Sequence, residues 1–150
     1  MMATAIVIGY GNNLRSDDAI GQLIANTIKS WDLPNLKSFA VHQLTPELTE
    51  PLANTDLVIF VDACINSQFS EVQVQSLLAS ELNTINTHIG NPLSLLALSQ
   101  ILYDHYPQAW LVTVPGVNFE LGDRISPIAE KGIQIAIFKI REILHKCNYL

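Results

Sequence analysis

Asp17 and Asp18, then Asp62 directly after the apolar run Leu57-Val-Ile-Phe-Val61, and finally His88 have the strongest claim to chemistry in this sequence. Two carboxylates and one imidazole drawn from three separate segments, with coordination positions left open, suit a borderline divalent ion such as zinc or nickel. Such an ion polarises a carbonyl and lowers the pKa of a bound water. Either carboxylate could instead serve as a general base. Each residue also has an ordinary explanation. Acids in a first helical turn complement the dipole and cap open N–H groups, and Ser16 or Asp17 stands where a helix cap is needed. A lone loop histidine such as His88, like His42, His105 and His145, is usually solvated or hydrogen-bonded. Asp62 could bond a neighbouring loop, but after so apolar a run it must find donors, a cation or a solvent crevice.

Other chemistries fit less well. The Gly9-Tyr-Gly11 turn suggests a dinucleotide site, yet Leu14 stands where a third glycine would be. Asp17 and Asp18 would repel a phosphate at the following helix start, and His42 and Gln43 replace the acid expected after the second strand. No Gly-x-Ser-x-Gly elbow is present. Cys64, beside a buried strand, reads as a small hydrophobe.

Strands and helices alternate along the chain. Ala5–Ile8, Leu36–Val41, Asp56–Ala63 and Ala109–Val114 read as strands, the last stopped by Pro115-Gly116, and the alternating Val72–Leu77 as an edge strand. Ile20, Leu23, Ile24, Ile28 and Trp31 recur at helical spacing. Pro46–Ala53, Pro92–Tyr106 and Pro127 to about Lys146 read as further helices. The alternation predicts a mostly parallel, twisted, doubly wound α/β sheet of about five strands. Ligands then bind beyond the carboxyl ends of the strands. The polar residues expected there are Asn12, Asn13, Arg15, Asp17 and Asp18; His42, Gln43 and Thr45; Asp62, Cys64 and Asn66; and Asn86, Thr87, His88 and Asn91.

Composition narrows the function. The 150 residues suit a single domain, 1–150. With 49% hydrophobic and 15% charged residues, the chain suits a layered fold with covered strands and not a disordered segment. A net charge of −6 argues against a nucleic-acid partner. Cys64 and Cys147 match no ligand spacing and form no disulfide framework, which fits a reducing compartment. No apolar stretch approaches the ~18 residues of a membrane helix, and the first residues read as a strand, so a cytoplasmic protein without membrane contact is expected.

The stretch Gly9-Tyr-Gly-Asn-Asn-Leu-Arg-Ser-Asp-Asp-Ala-Ile-Gly21 resembles the opening motif of the nickel–iron hydrogenase maturation endopeptidases. Val61-Asp62-Ala63, Thr87-His88-Ile-Gly-Asn-Pro92-Leu93 and the closing Ile125-Ser-Pro127 resemble that family's later marks, in order, over essentially the whole chain. The resemblance implies a three-layer α/β/α fold with helices on both faces of the sheet. It also implies an endopeptidase that removes a short C-terminal peptide from the nickel-loaded precursor of the hydrogenase large subunit. Asp18, Asp62 and His88 stand where the family binds metal and performs catalysis. That metal is the nickel of the substrate precursor, bound transiently, and no stably bound cofactor is expected. Asp17 is assigned to capping or support; Asn12 and Arg15 match motif positions. After the second strand the family often has Asp-Gly-Gly-Thr where this chain has His42-Gln-Leu-Thr45, a version similar to members serving bidirectional, NAD-linked hydrogenases. Two other readings stay open: a nickel-binding chaperone or checkpoint protein that inspects the precursor without cutting it, and a small-ligand-binding protein whose acids are only caps.

Overall fold

The computed structural model describes residues 4–65, 70–78 and 91–150. Apolar, β-branched runs bounded by turn residues form β1 (Ala5–Tyr10), β2 (Leu36–Val41), β3 (Leu57–Ile65), β4 (Gln73–Leu77) and β5 (Gln108–Gly116). The helices among the described residues are α1 (Ile20–Lys29), α2 (Thr49–Leu52), α3 (Pro92–Tyr103) and α4 (Pro127–Lys146). Turns of 3-10 helix, Ser16–Ala19 and Pro46–Leu48, lead into α1 and α2.

One sheet runs β2-β1-β3-β5-β4. Four strands are parallel and β4 is antiparallel, at the edge beyond β5. Leu57, Val58, Ile59, Phe60 and Val61 of the central β3 are buried on both faces, as the unbroken apolar run requires. Ile20, Ile24 and Ile28 of α1 and Ala136, Ile140 and Leu144 of α4 pack with Val7, Ile59 and Val61 on one face. Leu52 of α2 and Leu95 and Leu96 of α3 pack with Ile8, Val58 and Phe60 on the other. The three-layer α/β/α architecture with helices on both faces is therefore present.

Two expected boundaries move. The third strand, expected to end at Ala63, runs on to Ile65, because β3 keeps pairing with β5 from Asp62↔Thr113 to Ile65↔Gly116. Pro115 and Gly116 accordingly belong to β5. Pairing with β4 has ended by Thr113, so Pro115 lies where β5 is a sheet edge on that side, a position that tolerates a missing N–H.

Glycines bring α1 unusually close to the sheet. A Cβ on Gly9 would overlap the Gly21 carbonyl, and one on Gly21 would lie 2.7 Å from the Val61 oxygen and 2.8 Å from the Tyr10 nitrogen. The helix start thus rests directly on the carboxyl ends of β1 and β3. Gly21→Ala is expected to force the two backbones apart and cost about 2 to 3 kcal/mol, measured by urea unfolding. An unchanged unfolding midpoint would mean the contact is loose.

Candidate active site

The loop after β1 is shaped to present Asp18. Gly11 has φ +148°, and a Cβ there would overlap the Asp18 carbonyl, so only glycine fits. The backbone N–H of Asn12 donates to Asp18 Oδ2 at 2.8 Å, and Asn12 Oδ1 accepts from the Leu14 N–H at 2.8 Å. Gln22 Nε2 donates to the Gly11 carbonyl at 2.6 Å, while Asn13 Nδ2 donates to Gln22 Oε1 at 3.1 Å. The Asp18 N–H closes the turn on the Arg15 carbonyl at 3.0 Å. The asparagines of the motif therefore hold a carboxylate in place.

Asp17 does something the sequence did not suggest. Neither Ser16 nor Asp17 caps the helix start; no side chain caps the 3-10 turn or α1. Asp17 is fully buried and points at the segment between β5 and α4. Its Oδ2 accepts from the N–H groups of Val117 (2.8 Å) and Asn118 (3.1 Å) and from the Ser126 hydroxyl (2.7 Å), and its Oδ1 accepts from the Ser126 N–H (2.8 Å). Ser126 in turn caps α4, its hydroxyl oxygen accepting from the Ala129 N–H at 3.1 Å. Burial pushes the Asp17 carboxyl up, but the donors of Ser126, Val117 and Asn118 outweigh it and hold the group below the usual carboxylate range. Ser16 follows the same pattern, donating through its hydroxyl to the Glu120 carbonyl at 2.9 Å. The support role expected for Asp17 is therefore a long-range one.

Asp62 lies on the α2/α3 face of β3, since Val58 and Phe60 pack on that face and side chains alternate. The Ala63 N–H donates to Asp62 Oδ1 at 2.8 Å, and Tyr10 lies close enough to influence the carboxylate. Burial raises the Asp62 pKa; the Ala63 N–H opposes this, the nearby Asp18 charge adds to it and Tyr10 opposes it, leaving a value of about 6. Among the described residues no cation acts on Asp62. Burial and the Asp62 charge push the Tyr10 phenol well up, so it remains protonated.

Asp18 lies near enough for its charge to act on Asp62. Asn66, Asn86, Thr87 and His88 lie outside the described residues. Among the described residues no three His, Cys, Asp or Glu side chains form a group able to hold a metal ion. The Cys64 thiol is pushed up by burial and by Asp62, which keeps it in the neutral, weakly nucleophilic form. Asn91 caps α3, its Oδ1 accepting from the Ser94 N–H at 2.8 Å. His105 ties the end of α3 to the Thr55 carbonyl through Nε2 at 2.7 Å. His42 and Gln43 are exposed beyond β2. Tyr10 is the neighbour of Asp62 that sequence reasoning missed. The available signal was the alternation of Ile6, Ile8 and Tyr10, in step with Val58, Phe60 and Asp62.

No family model and no curated protein matches the chain. Solved structures do. The hydrogenase maturating endopeptidase HybD from E. coli is 24% identical, with a TM-score of 0.77 over 96% of this chain and 93% of that one. The hydrogenase 2 maturation peptidase from Thaumarchaeota archaeon SCGC_AB-539-E09 is 19% identical, with a TM-score of 0.72 over 95% of this chain and 98% of that one. The [NiFe] hydrogenase maturation protease HycI from Thermococcus kodakarensis is 21% identical, with a TM-score of 0.70 over 95% and 93%. The fold of this chain, over nearly its whole length, is that of the hydrogenase maturation proteases. No helix among the described residues is long and apolar enough to cross a membrane.

Proposed function

We propose that this protein is an endopeptidase that removes a short C-terminal peptide from the nickel-loaded precursor of a nickel–iron hydrogenase large subunit. The observation that carries the reading is the Asp18 charge acting on the part-buried Asp62, with no cation among the described residues acting on it, in a chain of this fold. Like charges held together in a part-buried place are unfavourable unless a cation joins them. The nickel of the precursor supplies that cation as part of the substrate. Asp18 and Asp62, with His88 as the third ligand the motif suggests, complete its coordination and fix the scissile peptide beside them. Water then adds through oxygen to the scissile carbonyl carbon and gives up a proton to a carboxylate base. The C–N bond breaks, and the departing nitrogen takes a proton to leave as an amine. The enzyme needs no resident cofactor in this scheme, and cytoplasmic precursor is the substrate.

The test is the intact mass of a large-subunit precursor, nickel-loaded and nickel-free, before and after incubation with the protein. Loss of a C-terminal peptide from the nickel-loaded form alone is the expected result. Cleavage of both forms would remove nickel as the gate. Binding of the nickel-loaded precursor with no loss of mass would replace the protease by a checkpoint protein.

A further inference from the structure

We propose that Leu14 and Leu121 form a docking platform for the precursor, seating an apolar stretch of its polypeptide beside Asp18; the role rests on the proteolytic reading above. Leu14 belongs to the loop after β1, and Leu121 to the segment between β5 and α4. A parallel bridge between Arg15 and Gly122 joins the two segments. The Gly122 N–H donates to the Leu14 carbonyl at 2.8 Å, and the Ser16 N–H to the Gly122 carbonyl at 2.9 Å. Leu14 and Leu121, the residues just before the bridge partners, are thereby neighbours although far apart in the sequence.

Both leucines stand in solvent, Leu14 70% and Leu121 75% exposed. Among the described residues, neither belongs to the two apolar cores. A single exposed leucine is ordinary, but two together on a rigid mount mark a contact surface. Further bonds stitch the mount. The Ser16 hydroxyl donates to the Glu120 carbonyl at 2.9 Å, and the Asp17 N–H to the Asn118 carbonyl at 2.9 Å. Asp17 Oδ2 also holds the Val117 N–H at 2.8 Å. Little backbone freedom is then lost when a partner settles on the pair.

Position, charge and size identify the occupant. Asn12 serves both features: its N–H grips Asp18 and its Oδ1 accepts from the Leu14 N–H, each at 2.8 Å. A polypeptide seated at Asp18 therefore passes over Leu14. The exposed charges next to the pair in sequence are Arg15 and Arg124 against Glu120 and Asp123. Two of each sign cancel, so the platform favours an apolar segment over a charged one. Two leucines fall well short of the ~800 Å² per partner of a stable dimer. They suit a second contact for a substrate already anchored at the carboxylates.

Leu14→Gln and Leu121→Gln are each expected to weaken binding of nickel-loaded precursor about tenfold in calorimetric titration, the effect of no longer burying one leucine. Single-turnover cleavage at saturating enzyme should keep the parental rate, because the pair touches no reacting atom. Urea unfolding midpoints should match the parent's, since both side chains already lie in solvent. A lowered midpoint would show the leucines packed into the fold and overturn the proposal. Parental affinity in both variants would do the same, as would equal weakening by Phe138→Gln, an exposed apolar residue of α4. Self-association of the parent, lost in the variants while precursor affinity stays, would hand the pair to a second copy of this chain. A parent that binds the precursor without cleaving it would remove the proteolytic reading alone, and the affinities would still judge the platform.

Discussion

Replacing Asp62 with asparagine is expected to reduce precursor cleavage at least about a hundredfold, the contribution of a positioned acid–base group, while making the folded chain more stable. The two effects share one cause. Burial and the Asp18 charge raise the Asp62 carboxyl to about 6, so its ionised form is disfavoured in the native state. A rise of that size corresponds to about 3 kcal/mol when the group is charged. Asparagine keeps an acceptor for the Ala63 N–H but carries no charge, so a gain of about 1 to 2 kcal/mol near neutral pH is expected. The sign of the pH dependence follows. Because the folded value lies above the unfolded one, the native state binds the extra proton. Stability is then full below the unfolded value of about 4 and falls as pH rises towards about 6. Urea unfolding of both proteins across this range should show the variant's advantage growing with pH and levelling off above it. A variant less stable than its parent at neutral pH would mean that a cation already compensates Asp62. Equal cleavage by the two proteins would take Asp62 out of the chemistry.

Asp17→Ala is expected to be the most damaging single change to the fold, at about 3 to 5 kcal/mol, the cost of breaking a buried charged network on one side. The N–H groups of Val117, Asn118 and Ser126 and the Ser126 hydroxyl would all lose their acceptor. Asparagine should rescue little. Both oxygens of Asp17 accept N–H donors, so an amide in either orientation sets its own N–H groups against a backbone N–H. Ser126→Ala removes two hydroxyl bonds, the one to Asp17 and the cap on the Ala129 N–H, but leaves the N–H groups of Val117, Asn118 and Ser126 on Asp17, so a loss of about 1 kcal/mol is expected. Chemical unfolding of the three variants checks the order. Asp17→Asn matching the parent would show that the network does not depend on two acceptor oxygens. Acid should act in the same direction. The Asp17 carboxyl is held below its ordinary value, so its contribution is present above the unfolded value of about 4 and lost as pH falls through the lower folded value.

Asp17 and Asp18 illustrate how far the sequence could be read. Side by side in one motif, they share the same helix-start explanation, and only the fold separates them. Asp18 is gripped by the Asn12 N–H and its charge reaches Asp62, whereas Asp17 turns away to tie down a segment about 100 residues further along the chain. Tyr10 makes the same point from the other direction. Its alternation with Ile6 and Ile8 was visible in the sequence, but its partner depends on which strand lies beside β1.

The strands, the helices, the α/β class and the segments carrying chemistry were determined locally, because apolar periodicity, Pro92 and Pro127 in first turns and Gly9-Tyr-Gly11 act over a few residues. The continuation of β3 beyond Ala63 to Ile65, the closeness of α1 at Gly9 and Gly21 and the separate tasks of Asp17 and Asp18 were decided by tertiary structure alone. The physical reason is that a carboxylate takes its role from the donors and charges around it. For Asp17 and Asp62 those groups come largely from strands and loops distant in sequence, assembled only when the sheet forms.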